Sequence, residues 1–323
     1  MLLGLAAAVL VPALPVLPVL VPIEQTLVLL APVLAALSLV GWWQGGRLLP
    51  AVVWVAAAAW VLSQRLPGSE GYGWLVRGWA VLLAGVFGLM LLLRPRRPLF
   101  DQALPAIGIG LVLALLALLT RGGAVGDQLG RLLRGEFAQR TAEWTAWLAR
   151  LAATPEWAAY SARYPEALAL RQQVEAQYAA LPERSFGVVP AMLALESLAV
   201  LALAWALYQR LGRARVGPAL QPLRGFRFND QLVWGLIVGI TLLVVPGFAE
   251  VRGAGVNLLV FFGALYVVRG LGVLAWLFAP RRWAKVALVV VGVLAWQLLA
   301  PFALAIGVGD TWLDWRGRTR PSS

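Results

Sequence analysis

The chain has 323 residues, 61% of them hydrophobic, with a mean hydropathy of +0.80; this is more apolar surface than one aqueous core can hide, because ordinary globular chains sit near half apolar. It has no cysteine and no histidine, which excludes disulfides, thiolate nucleophiles, iron–sulfur clusters, Ser-His-Asp and Cys-His catalysis, and the usual zinc and facial-triad iron sites. The formal net charge of +12 comes almost wholly from arginine, Lys285 being the single lysine; these residues lie mostly between apolar stretches, so they mark orientation in a membrane rather than a nucleic-acid surface.

Windows of roughly 17 to 25 apolar residues are long enough to cross a bilayer as helices. In chain order they are 2–22, 26–43, 48–64, 74–93, 103–120, 187–209, 231–249, 254–278 and 284–308. The predicted fold is therefore all-α, a polytopic transmembrane helix bundle of about nine spans with a small extra-membrane helical cap. The expected division is 1–120 for the first transmembrane helices, 121–186 for the cap, 187–309 for the second transmembrane set and 310–323 for a polar tail. The first window carries Pro12, Pro15, Pro18 and Pro22; prolines that close together remove backbone donors, so a broken or re-entrant segment is expected. It lacks a basic leader, so it is not read as a cleaved signal peptide.

Three short connections are densely basic: Arg94, Arg96 and Arg97; Arg210, Arg213, Arg215, Arg224 and Arg227; Arg281, Arg282 and Lys285. With Arg47 they fall on one side of the predicted spans, which the positive-inside rule makes cytoplasmic. The amino terminus is then inside and the carboxyl terminus outside. Residues 121–186 carry eight arginines and seven acids that nearly cancel, and a long loop crosses with little regard to charge, so an external cap is expected. There Leu129, Leu132, Leu133, Phe137, Trp144, Leu148 and Leu151 recur at helical steps. "TPEW" at Thr154 and "YPEA" at Tyr164 place Pro and Glu where helices begin. No Gly-rich phosphate loop is present, so nucleotide hydrolysis by this chain is not expected.

Polar residues inside the spans are the candidate site. Glu196 lies in "LALESLAVLALAW" and Arg269 in "LYVVRGLGVLAW". An intramembrane charge is costly and takes a partner or a wet cavity, so the two are read either as a pair lining a solute or proton path, or separately. In the separate reading Arg269 snorkels to the interface and Glu196 is packed against polar neighbours. Asn257, Gln297 and Glu250 border the last spans, where amides more often join helices than bind ligands. Gly235 and Gly239 make a small-xxx-small step that suits close helix packing.

"FGVVPAMLALESLAVLALAWALYQRLG", "LRGFRFNDQLVWGLIVGITLLV", "NLLVFFGALYVVRGLGVLAWLF" and "GVGDTWLDWR" follow one another in the order and spacing of the YybS-like family. Over residues 186–318 the chain resembles that group of bacterial multi-pass membrane proteins; the first five spans resemble it only in hydropathy. The family's closing signature maps on Gly307, Asp310, Trp312, Asp314, Trp315 and Arg316, and Asn257 and Gly270 also fit. Arg269 departs from the more usual uncharged polar residue. The resemblance implies a bacterial cytoplasmic membrane protein and, through a distant likeness to the S components of energy-coupling factor transporters, a small-solute binding or transport component. The alternative is a non-catalytic scaffold or accessory subunit. The expected partners are the lipid bilayer, other membrane subunits and a small solute, with no nucleic acid and no cofactor.

In the closing stretch, Gly307 and Gly309 are expected to end or bend the last span, with Asp310 as the next N-cap and Asp314 one turn on. Trp312 and Trp315 suit the interfacial belt, and Arg316 and Arg318 reach lipid phosphate or Asp314. The resemblance implies a polar clasp of the two acids and the arginine. An enzyme using Asp310 and Asp314 lacks metal ligands and a nucleophile–base set, so no enzymatic activity is expected.

Overall fold

The structure is a computed structural model that describes residues 23–66, 68–120, 123–179, 187–212, 216–278 and 296–318. The window 2–22, Lys285 and the first part of the 284–308 window lie outside them. The larger helices are α1 (Ile23–Trp43), α2 (Leu48–Ser63), α3 (Glu70–Leu93), α4 (Leu99–Thr120), α5 (Gly123–Ala152), α6 (Pro155–Arg163), α7 (Glu166–Ala179), α8 (Val189–Leu211), α9 (Val233–Val244), α10 (Arg252–Leu277) and α11 (Trp296–Leu313). A last turn, α12, covers Trp315–Arg318. No strand occurs among the described residues.

Among the described residues five stretches are long and apolar enough to cross a membrane: Gln25–Trp43, Glu70–Leu93, Leu99–Thr120, Val189–Leu211 and Pro246–Leu277. Leu48–Ser63, Asp230–Val244 and Leu298–Leu313 are shorter apolar helices. Of the nine expected spans, the eight that fall at least partly on described residues appear as five full-length candidates and three short segments; Pro246 and the 3-10 turn Pro246–Val251 cut the 231–249 window at Val244.

The main core joins both halves of the chain. Leu34 and Leu37 of α1, Leu83 and Phe87 of α3, Ala103 of α4, and Leu201 and Trp205 of α8 pack in one cluster that reaches Leu265 of α10. Lipid tails are as apolar as these side chains, so close packing and hydrogen bonds hold such a bundle rather than transfer from water. Small residues serve that packing: a Cβ on Gly41 would strike the Tyr208 hydroxyl, and Trp79 Nε1 donates to buried Ser197 Oγ at 2.9 Å. Outward faces carry Leu89, Leu92, Val112, Leu115, Trp234 and Ile240, all exposed on the isolated chain.

At one end of the bundle two of the basic connections, the one after α3 and the one after α8, meet. Arg96 N donates to Val216 O at 3.1 Å and Gln209 Nε2 to Gly217 O at 2.8 Å. At the other end lie the starts of α1, α3, α8 and α10 together with the cap helix α5. The segment expected to be the cap holds three helices, α5 to α7: Thr154 caps α6, its hydroxyl accepting from Trp157 N at 3.3 Å, with Pro155 in the first turn. Phe137 and Leu148 form the buried stripe of α5, while Leu151 stays exposed.

Candidate functional site

Glu196 lies on α8, 6% exposed, where the starts of α1 and α3 converge. Gln25 Nε2 donates to Glu196 Oε2 at 2.6 Å and Thr26 Oγ1 to Oε1 at 3.3 Å. The Tyr72 hydroxyl donates to Gln25 Oε1. Over the Tyr72 ring, 4.7 Å from its centroid, sits the guanidinium of Arg140 from the cap helix α5. Arg140 pairs with Glu136 at 3.1 Å, and Glu136 also accepts from Ser69 N at 3.0 Å and Ser69 Oγ at 3.3 Å. Gly68, at φ +96°, lies so close to that carboxylate that any side chain there would displace it. A continuous polar chain therefore runs from Glu136 in the cap to Glu196 in the bundle.

Arg269 does not pair with Glu196. Asn257 Oδ1 accepts from Ala191 N at 2.8 Å, and Asn257 Nδ2 donates to Gly187 O and Gly253 O, both at 2.7 Å, which sets the starts of α8 and α10 at one level. At 1.5 Å per residue, Glu196 is about 7.5 Å beyond Ala191 and Arg269 about 18 Å beyond Asn257, so their levels differ by about 10 Å. Nor does Arg269 snorkel into water: it is 2% exposed. Its Nε donates to Asp310 Oδ2 at 2.9 Å and its Nη1 to Asp230 Oδ1 at 2.6 Å. Its charge also lies 5.3 Å from the Phe228 ring.

Asp310 is the hub of this second cluster. Arg316 Nη2 donates to the same Oδ2 at 2.6 Å, and Arg316 Nη1 to Phe226 O at 3.0 Å and Arg224 O at 3.3 Å. Asp310 is thus not an N-cap but a buried position inside α11, which runs unbroken through Gly307 and Gly309 to Leu313. Gly307 serves a close crossing instead of ending the helix: a Cβ there would strike Tyr266 O, and one on Gly270 would strike Ala303 O. The helix ends at Asp314, which adopts φ 39°, a left-handed conformation that Asp tolerates better than most residues.

Asp314 lies on the surface and pairs with Arg227, whose guanidinium holds its carboxyl below the usual carboxylate range. The clasp is therefore divided: Asp310 takes Arg316 and Arg269, and Asp314 takes Arg227. These bonds set the carboxyl-terminal segment against the connection between α8 and α9, not across the membrane from it as the span count implied. Trp312 is 64% exposed, on an outward face, whereas Trp315 folds back over Gly309 and packs beside Val273 and Ile306. Gln297 and Arg318 lie where side chains are outside the described residues.

Sequence reading singled out Glu196, Asn257, Arg269 and Asp310 but missed Gln25, Thr26, Tyr72, Arg140, Asp230 and Arg227. The available signal was position: Gln25, Thr26 and Tyr72 are polar groups at span starts on the cap side, the level at which α8 carries Glu196. Among the described residues no group of three or more acids is placed to hold a metal ion. A groove of about 730 Å³ between α5 and α7 is wide open and lined largely by alanines, with Gln172 and Glu175 at its edge.

No curated protein matches the chain, and no solved structure does. The chain is a multi-pass helical membrane protein, and its residues 166–311, from the start of α7 to the last turn of α11, match the model of a family described as "Predicted membrane protein (DUF2232)".

Proposed function

We propose that the chain is a small-solute binding or transport component of a bacterial cytoplasmic membrane, worked by a partner subunit because it carries no nucleotide motif. The observation that carries this reading is Glu196: a buried acid within a span, met by an amide and a hydroxyl instead of a bonded cation. An ionisable group at membrane depth is expensive and marks a substrate or ion pathway by default. The resemblance to the YybS-like family, and through it to energy-coupling factor S components, supports the same reading as an analogy of fold. Within it, Glu196 faces the solute path, while Asn257 and Arg269 hold the helices around it. Residues 187–309 form its core and residues 1–120 its flank; 121–186 lie outside the cell, and the basic connections face the cytoplasm.

The test is a thermal-shift screen of the purified chain against amino acids, nucleobases, vitamins and divalent metal salts, repeated with Glu196→Gln. A hit that raises Tm in the parent and loses its effect in the variant is the expected result. A panel without hits, or hits indifferent to Glu196→Gln, sinks the reading.

A second reading, a scaffold or accessory subunit, draws on the cap. Trp144 stacks on Trp147 with ring centroids 4.8 Å apart, and Tyr160 packs between Trp157 and Tyr164. Trp147, Tyr160 and Tyr164 remain largely exposed, and aromatics of this kind anchor protein interfaces. This reading requires a stoichiometric partner that co-purifies with the full chain and is lost on deleting residues 127–183.

A further inference from the structure

Arg140 stands between two acids. Directly it pairs with Glu136 of its own helix at 3.1 Å; through Tyr72 and Gln25 it is linked to Glu196. The groups around Glu196 are Gln25 and Thr26 from α1, Tyr72 from α3, Glu136 and Arg140 from α5, and, at the same end, Asn257 from α10. Of the two carboxylates only Glu136 is bonded to the guanidinium, and the three groups together carry one net negative charge in a space where Glu136, Glu196, Gln25 and Tyr72 are all less than 9% exposed. A single added proton brings the cluster to neutrality.

The donors decide which cation fits. Two partners of the Glu196 carboxyl present hydrogens to it, from Gln25 Nε2 and Thr26 Oγ1. A metal ion needs oxygen lone pairs converging on it, and the nearest neighbours of Glu196 offer it donors. A proton needs only one free lone pair on the carboxylate. The way in from water is short: the Arg140 side chain is 15% exposed, and Ser69, bonded to Glu136, is exposed.

We propose that Glu196 is a proton-binding site exchanging with water on the cap side past Arg140 and Tyr72, and that its proton occupancy sets how firmly the cap helix α5 is held on the bundle. This rests on the reading of Glu196 as the working group and names the coupling ion. On uptake, a proton from cap-side water forms an O–H bond on the Glu196 carboxylate, and the cluster charge changes from minus one to zero. Arg140 then feels one acid instead of two; its attraction toward the span weakens, while its contact with the Tyr72 ring and its pair with Glu136 persist. On release the proton returns to water and the inward pull on Arg140 is restored.

The experiment takes the full chain in lipid nanodiscs and reads two signals across an acid-to-alkaline series. Infrared difference spectra report the protonated-carboxyl C=O band; hydrogen exchange, corrected for its intrinsic pH dependence, reports α5 peptides. The expected result is one carboxyl band that titrates, loss of that band in Glu196→Gln, and a step in α5 exchange with the same midpoint. In Glu196→Gln the step is lost and the cap stays in its looser, acid-like state at every pH. Arg140→Gln keeps the band and loses the step. Tyr72→Phe, which retains the ring and the fold, shifts the midpoint of the band. A band that survives Glu196→Gln, an α5 step that survives it, or a midpoint indifferent to Tyr72→Phe overturns the proposal. The solute screen is separate: a titrating band without any solute hit removes the transport reading alone, and solute hits without a titrating band remove this one alone.

Discussion

Arg269 of α10 and Asp310 of α11 form an ion pair with an N–O distance of 2.9 Å, and the two side chains are 3% and 0% exposed. Removing one partner of a buried pair leaves an uncompensated charge, which costs about 3–5 kcal/mol, whereas replacing both by apolar residues is often neutral. Asp310→Ala takes the one acid from Arg316 and leaves Arg269 with Asp230 alone, and is expected to lower Tm in detergent steeply. The double variant Arg269→Met with Asp310→Leu is expected to be milder than the sum of its parts. An additive pair of effects would show that the two residues do not act as a unit.

Glu196 and Arg269 have different partners at different levels, so exchanging their charges is expected to bring no rescue. Glu196→Arg with Arg269→Glu places a cation beside Gln25 and Thr26 and an acid beside Asp310 and Asp230. Expression and monodispersity of the double variant should be no better than those of the worse single one. Recovery to the parent level would require the direct pair that the structure lacks.

The crossing of α10 and α11 tolerates no side chain at its closest point. Besides the carbonyls already in the way, an added Cβ at Gly270 lies 2.9 Å from Gly307 N, and one at Gly307 lies 2.9 Å from Gly270 N. Overpacking of this kind costs about 1–3 kcal/mol and more where backbone must move. Gly270→Ala and Gly307→Ala are each expected to lower Tm. Gly263→Ala on the same helix meets open space, and is expected to leave Tm unchanged or raise it, since Ala favours helix over Gly.

Asn257 satisfies a backbone donor at Ala191 and a carbonyl at Gly187, both at the mouth of α8. Asn257→Ala leaves the Ala191 N–H without its partner, at a cost of about 1–3 kcal/mol. Hydrogen exchange should quicken in residues 189–193 and stay unchanged in the far half of α8. Uniform quickening along the helix would contradict a local staple.

The Asp314–Arg227 pair carries a definite pH dependence. Its carboxyl is held below the usual range first by the Arg227 hydrogen bond and then by that residue's charge. A folded-state pKa below the unfolded one gives stability that is present above the ordinary carboxylate range and is lost as pH falls through the folded value. Both side chains are about half exposed, so the effect is screened and small. Arg227→Gln is expected to move the Asp314 titration, followed by carboxyl NMR, upward toward the ordinary value. No movement would mean that the pair does not persist in solution.

Much of this molecule is written locally. Apolar windows of bilayer length and the Thr154-Pro155 start of α6 state the class and the helices, because backbone hydrogen bonds in lipid must close within a helix and capping acts over one turn. The cost of burying Glu196 and Arg269 is also local, so the sequence marks them as residues that need partners. Which partners they take is not local. Gln25 lies 171 positions from Glu196, and Asp310 lies 41 from Arg269; each pairing depends on which helices are neighbours and on their rotation about their axes. The same holds for the closing stretch: Gly307 and Gly309 read as helix breakers on propensity alone. Only the contact with Tyr266 and Gly270 shows that the missing side chain makes room for α10, carries the helix on to Leu313 and turns Asp310 into the core.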